Sequence, residues 1–260
     1  MFNKLGVQLY TIRDYMKDED FADVAFGKLA KLGYTEAHTA GCAFDEKRFA
    51  ELLSKHGISI IGTHYSYTQI INDPAKTMEL HTLWNTKNIG IGGMPKEARE
   101  NLDGLKNFIQ AYNTAAEQYA KEGFKLTYHN HNFEFMRIDG KKTLMDLLYE
   151  ELDPNNISFV LDTCWVAAAG ADVIDWMEKL AGRIDILHLK DMYLKKDAAT
   201  GKLLPDVTEV GNGNLSWDKI MDTAERIGVK HYVVEQDGSW AGTPFNSLQM
   251  SADFLAKYKK

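Results

Sequence analysis

Apolar and polar positions along this chain switch between two periods. Short runs rich in β-branched and aromatic residues alternate with longer segments in which apolar residues return every three or four positions. The strand-like runs fall at 5–10 (LGVQLY), 34–39 (YTEAHT), 59–65 (SIIGTHY), 88–93 (NIGIGG), 125–131 (KLTYHNH), 157–162 (ISFVLD), 184–190 (IDILHLK) and 231–236 (HYVVEQ). Between them the spacing predicts helices at 20–32, with apolar Phe21, Val24, Ala25, Leu29 and Leu32, and at 45–56, 73–87, 101–122, 143–150, 172–181, 216–227 and 244–258. Four helices meet the next strand through a glycine, in Leu32-Gly33-Tyr34, His56-Gly57-Ile58, Glu122-Gly123-Phe124 and Ile227-Gly228-Val229. A glycine just past a helix end adopts the left-handed conformation that closes the helix at little cost.

Strand and helix therefore alternate over the whole length, the pattern of a parallel sheet wound with helices. An open, doubly wound sheet would show the same local signs. The count of eight strands in 260 residues, close to the ~250 at which an eightfold strand-helix barrel closes, selects an α/β fold with a single (β/α)8 barrel domain over 1–260. The longest connection, 191–216, contains DAATGKLLPD and VGNGNL. Its length and its place after the seventh strand predict a lid.

Composition narrows the function classes. The chain is 45% apolar and 26% charged, which excludes disordered and fibrous classes. A net charge of −7 gives no general attraction to phosphate backbones, so nucleic acid is not an expected partner. No stretch approaches the ~20 apolar residues needed to span a bilayer, and the expected location is the cytoplasm. Cys42 and Cys164 are too few for a disulfide framework and read as buried thiols.

Period-two alternation sends one set of barrel side chains inward and the other toward the helices. It pairs Val160 with Asp162, and Ile186 with His188 and Lys190. It likewise groups Val233 with Glu235 and Asp237, and His129 with His131, with Glu134 just past that strand. Glu134, Asp162, His188 and Glu235 all fall at or just beyond the C-terminal ends of strands five to eight, where barrel active sites are built. Three carboxylates buried together would repel strongly without a cation. One divalent metal is therefore expected, manganese foremost, with magnesium, cobalt and zinc as alternatives.

These residues resemble the xylose-isomerase-like barrels of sugar isomerases and epimerases. The likeness is carried by GVQLYTIRD (6–14), YHNHNFEF (128–135), LDTCWV (161–166), ILHLKD (186–191), VGNGNLSW (210–217) and VVEQD (233–237). It is closest to the sugar phosphate isomerase/epimerase branch, and inosose dehydratases share the layout. The resemblance implies that Glu134, Asp162, His188 and Glu235 bind one metal. It also implies that a small carbohydrate chelates the ion and forms an enediolate, with Glu134 and Glu235 as the acid/base pair. The same enediolate could expel a β-hydroxyl, which would make the enzyme a dehydratase. Ketose 3-epimerases resemble L-D-T-x-H where this chain has LDTCW, so Trp165 replaces a histidine. The basic side chain they carry beyond the metal histidine is absent from Met192, Tyr193 and Leu194.

Other positions complete the expectation. His64 and His131 face the mouth by alternation and are candidate substrate contacts. Lys190 could orient a hydroxyl, carboxylate or phosphate, or form a salt bridge with Asp191 or Asp162. Tyr10 and Trp165 could supply an apolar platform for a sugar. Gly211-Asn212-Gly213 lacks the sequence context of a phosphate cradle and reads as a turn. Lys195, Lys196 and Lys202 read as a solvated face, and Asp18, Glu19 and Asp20 as charge at a helix N-terminus. Two further classes fit the sequence less well: an abasic-site endonuclease, which needs more histidines and a basic groove, and a non-catalytic sugar-binding barrel, which would be expected to lack one of the two glutamates. A homodimer or homotetramer sheltering the mouth is implied by the resemblance alone.

Overall fold

The period-two runs become strands because their alternate side chains meet two apolar environments, the barrel interior and the ring of helices. The computed structural model describes residues 2–138 and 140–260. Within them lie strands β1 (Leu5–Gln8), β2 (Tyr34–Thr39), β3 (Ser59–His64), β4 (Asn88–Ile91), β5 (Lys125–His129), β6 (Ile157–Asp162), β7 (Ile184–Leu189), β8 (Asp191–Lys196), β9 (Leu203–Thr208) and β10 (His231–Val234). Eight of these close a parallel barrel in the order β1-β10-β7-β6-β5-β4-β3-β2, while β8 and β9 form a separate antiparallel hairpin.

The helices are α1 (Glu19–Lys31), α2 (Glu46–Lys55), α3 (Tyr67–Asn72), α4 (Pro74–Leu83), α5 (Leu102–Lys121), α6 (Leu144–Glu151), α7 (Thr163–Ala168), α8 (Val173–Lys179), α9 (Trp217–Ile227) and α10 (Pro244–Leu255). None of the described helices is long and apolar enough to cross a membrane. Asp18 caps α1 by accepting from the backbone of Asp20 and Phe21, and Glu19 and Asp20 occupy its first turn, the charge arrangement expected from the sequence. The buried stripe of α1 is Ala22, Ala25, Phe26 and Leu29. Phe21 and Val24 are exposed, because the stripe with true i, i+3, i+4, i+7 spacing starts one position later. All four helix-ending glycines have positive φ, between +70° and +88°.

Six of the barrel strands stop one or two residues before the corresponding sequence runs, and the residues that follow belong to the loops that carry the site. The 73–87 segment is shorter as well: Asp73 caps α4 and Pro74 starts it, leaving α3 as a separate turn of helix before it. At the far side of the chain, 191–216 is not a structureless lid. It opens with the β8–β9 hairpin and ends in a turn fastened to Asp191. Cys164 is buried, whereas Cys42 is only half-buried.

Ile61, Val160, Ile186 and Val233 form an apolar cluster of their own inside the barrel. They fill its axis below the polar groups contributed by the C-terminal strand ends. Dry packing on one side and the open mouth on the other confine those polar groups to one level of the barrel.

Candidate active site

Strand register sets the site. Asp162 at the end of β6 pairs with His188 on β7, and His188 pairs in turn with Val233 on β10, two residues before Glu235. His129 ends β5 beside Val160. One ligand atom from each of His129, Asp162, His188 and Glu235 lies within 4.8 Å of all the others, and all four residues are buried. His188 Nδ1 is 2.7 Å from Glu235 Oε2, and His129 Nε2 is 3.5 Å from Asp162 Oδ2 and 3.9 Å from Glu235 Oε2.

The cage has unfilled valence. Asp162 Oδ2 and both His129 nitrogens are buried without a hydrogen-bond partner among the described residues. Groups of this kind cost free energy unless something satisfies them. Two carboxylates and two imidazoles form a donor set suited to a borderline divalent ion such as manganese, cobalt or zinc. The residues present therefore fit a metal.

Glu134 lies apart from these four residues. Its carboxylate is buried but stands outside this group: Oε1 accepts from Tyr128 Oη at 2.7 Å and Oε2 from the His131 backbone N–H at 2.7 Å. Alternation ends with β5, and the turn at Phe133–Phe135 carries Glu134 back toward Tyr128, which belongs to the core shared with the helices. His129, on the inner face of β5, is the fourth member of the group. Burial pushes the Glu134 carboxyl up to about 7 despite both hydrogen bonds.

Above the cage, Tyr10, His64, His129, His131, Trp165, Lys190, Glu235 and Asp237 line a cavity of ≈ 390 Å³ together with Ala40 and Gly92. Each expected substrate contact, His64, His131, Lys190, Trp165 and Tyr10, lies on this wall, although Tyr10 is 45% exposed at its rim. Lys190 is almost fully buried. Its Nζ lies 2.5 Å from Asp237 Oδ2, 3.5 Å from Asp162 Oδ2 and 3.8 Å from Glu235 Oε2, and sits over the Trp165 ring. A larger groove of ≈ 600 Å³ lies by α2 and the start of β3. It is at the N-terminal end of the barrel, away from the converging groups.

Burial disfavours charge on Lys190, but Glu235, Asp162 and Asp237 outweigh it and hold its pKa above the usual range. Burial drives Asp162 up to about 7, with Lys190 opposing. For Glu235 burial again acts upward, yet Lys190 and His188 prevail and keep it ionised well below the usual carboxylate range. Desolvation lowers His64 to about 3 and His131 to about 4, and lowers His129 well below its ordinary value. These imidazoles are neutral at pH 7.

Sequence reasoning missed the supporting residues. Lys190 ignores Asp191, because that buried carboxylate fills a backbone nest of its own. It accepts from Gly211 N–H at 2.9 Å, Gly213 N–H at 3.1 Å, Met192 N–H at 2.8 Å and Trp217 Nε1 at 2.5 Å. A Cβ on Gly213 would come within 2.2 Å of Asp191 Oδ1. The glycines of VGNGNLSW thus form a turn around a carboxylate that the protein itself provides. Beneath the cage, His188 Nε2 is 3.1 Å from His38 Nδ1, which lies 2.9 Å from Gln8 Nε2. His38 could have been found from β2, where Glu36 and His38 occupy alternate positions of YTEAHT.

Comparison with known proteins agrees with this architecture. Residues 26–258 match the sequence profile of the xylose isomerase-like TIM barrel family. An inosose dehydratase from Mesomycoplasma hyopneumoniae is 26% identical over 195 residues, covering 67% of this chain and 63% of that protein, so the match spans just under two thirds of the relative's length. A sugar phosphate isomerase/epimerase from Parabacteroides distasonis superposes with a TM-score of 0.81 at 24% identity, covering 99% of this chain and 96% of that one. A probable 3-DHS dehydratase from Bacillus anthracis gives 0.72 at 17% identity, with 97% and 98% covered. At these identities the structural likenesses establish the fold alone.

Proposed function

The chain belongs to the xylose isomerase-like TIM barrel family, and on that premise we propose that it is a metal-dependent dehydratase of a small polyhydroxylated ketone. One observation carries the choice of elimination over epimerisation. Glu134 is bound to Tyr128 and the His131 backbone, outside the cage, while the Lys190 ammonium stands within 4 Å of Asp162 and Glu235. Epimerisation by the expected pair needs two carboxylates on opposite faces of the substrate. Elimination needs one base and one acid.

His129, Asp162, His188 and Glu235 would hold the ion, which when bound acts as a Lewis acid toward substrate oxygens. Neutral His131, whose Nδ1 has no partner among the described residues, is placed to take the proton from the carbon beside the carbonyl. As that C–H bond breaks, its electron pair forms the new double bond and the β C–O bond breaks. Lys190 gives a proton to the departing hydroxide, so that water leaves, and the proton held by His131 restores the lysine through solvent. Asp237 keeps Lys190 aimed at the cavity. Trp165, its Nε1 also without a partner, offers an apolar face and one donor to a hydroxylated ring.

The test is proton NMR in D2O with zinc-loaded protein and a panel of inososes, ketohexoses and their phosphates. Metal-dependent conversion to a conjugated enone, absent in Lys190→Met, supports the dehydratase. Deuterium in recovered substrate or epimer without elimination would replace this reading with the isomerase. An absence of both would refute enolisation chemistry for this panel.

A further inference from the structure

The cavity above the cage has a neighbour. A second cavity of ≈ 280 Å³ opens between the helical turns at Leu9–Lys17 and the loop 40–43 that follows β2, and Tyr10 and Ala40 belong to the walls of both. Leu9 and Met16 give the outer cavity a buried apolar lining, and Arg13, Lys17 and Cys42 line it as well. Tyr10, half-exposed, is thus a partition shared by two spaces.

The two cavities differ in charge. Among the described residues on the inner wall, Lys190 is the one lysine or arginine, and its ammonium lies within 4 Å of Asp162, Glu235 and Asp237. A divalent ion in the cage balances Asp162 and Glu235, and Lys190 balances Asp237, so the loaded inner cavity has no cation to spare for a charged substituent. An anion placed there would meet carboxylates instead.

The outer cavity has the opposite balance. The Arg13 guanidinium is a permanent cation and makes no ion pair among the described residues: its hydrogen bonds go to backbone oxygens, Tyr10 O at 2.9 Å and Asp237 O at 3.1 Å. Two acceptors leave part of its fork of N–H donors unanswered. Its Cζ lies 4.4 Å from the centre of the Tyr10 ring. Lys17 pairs only with Asp14, and both are exposed, a surface contact that contributes little and yields readily. Asp237 links the two spaces. Its backbone oxygen accepts from Arg13, and its carboxylate accepts from Lys190 at 2.5 Å. One residue therefore separates guanidinium from ammonium, a span that a chain of a few carbons covers.

We propose that the outer cavity is a subsite for an anionic substituent, phosphate or carboxylate, carried on the substrate a few carbons from its reacting end. Arg13 is the principal partner, because its planar fork matches two oxygens of either group, and the Tyr10 ring packs against the connecting carbons. The assignment rests on the reading of the inner cavity as the substrate site. It narrows the substrate from polyhydroxylated ketones in general to those with a negatively charged end.

Titration calorimetry of the zinc-loaded protein with a ketohexose, and with ketohexoses carrying phosphate or carboxylate on the last carbon, tests this. At least one of the two anions should bind about 10–100-fold tighter than the neutral sugar at low salt, the range of a charge-assisted contact, and the advantage should shrink as salt rises. Whichever anion shows the larger advantage identifies the group. Arg13→Met should remove the preference, and Arg13→Lys should keep part of it. Ala43→Asp places a carboxylate on the exposed lining of the outer cavity without touching the Arg13 hydrogen bonds. It should remove the preference too, which keeps the test open if Arg13→Met does not fold. Equal affinity for the three compounds, no binding by either anion, or a preference that survives these substitutions overturns the subsite. If the preference and its loss are seen while no compound is dehydrated, the dehydratase reading fails and the subsite stands.

Discussion

Lowering the pH is the sharpest perturbation of the cage, because one of its ligands holds a proton near neutrality. Burial raises Asp162 to about 7 in the absence of metal, and a bound cation requires the carboxylate. The free site is therefore protonated below pH 7 and the loaded site is not, so affinity must fall as pH falls. With a pKa of about 7, linkage gives a Kd about tenfold weaker at pH 6 than at pH 8, with release of about 0.9 proton per ion at pH 6 and about 0.1 at pH 8. His64 and His131, at about 3 and about 4, and His129, well below its ordinary range, stay neutral throughout this interval. Among the cage groups with a displaced pKa, Asp162 is the one that titrates in this interval, and the proton is assigned to it on that ground. Titration calorimetry with Mn²⁺ in two buffers of different ionisation enthalpy reads both quantities. Equal affinity at pH 6 and pH 8, or no proton released at pH 6, would refute the assignment.

The same shift makes a statement about stability. Asp162 is raised above its unfolded value of 3.8, so the metal-free fold favours the protonated form and loses up to about 4 kcal/mol as pH rises from about 4 to 7. Metal-free Asp162→Asn should therefore melt above the parent at pH 8, with the gain vanishing near pH 4; no gain at pH 8 would contradict this. Replacing a cage residue should separate the two corners in dispute: His129→Leu weakens Mn²⁺ binding at least about 100-fold, whereas Glu134→Gln stays within about threefold, both read by calorimetry. Asp191→Ala leaves the Gly211, Gly213 and Trp217 donors unanswered and should cost about 3 kcal/mol. For a chain of this size that is a drop of about 6 °C in Tm by scanning calorimetry, and an unchanged Tm would show that the loop is held by something else.

The barrel was legible because its signals are local. Strand alternation, capping residues such as Asp18 and Asp73, and the glycines at 33, 57, 123 and 228 each act within a few residues. Three of the four cage residues were legible for the same reason, since Asp162 and His188 lie on strands whose alternation fixes their face and Glu235 follows the last strand directly. Glu134 was not, because it lies five residues past His129, where no period constrains direction and the outcome depends on Tyr128 Oη and the His131 N–H. The hairpin of β8 and β9 escaped notice because its residues alternate weakly and are stabilised by pairing across the turn. Asp191 and His38 act through distant partners, Gly213 and His188, that only the closed barrel brings near.

Anomalous diffraction from a manganese-loaded crystal tests the central claim most directly. The account predicts one ion in the barrel mouth, coordinated by His129, Asp162, His188 and Glu235, with Glu134 still bonded to Tyr128. An ion coordinated by Glu134 in place of His129, or a cage that stays without manganese while the ion binds elsewhere, would contradict it.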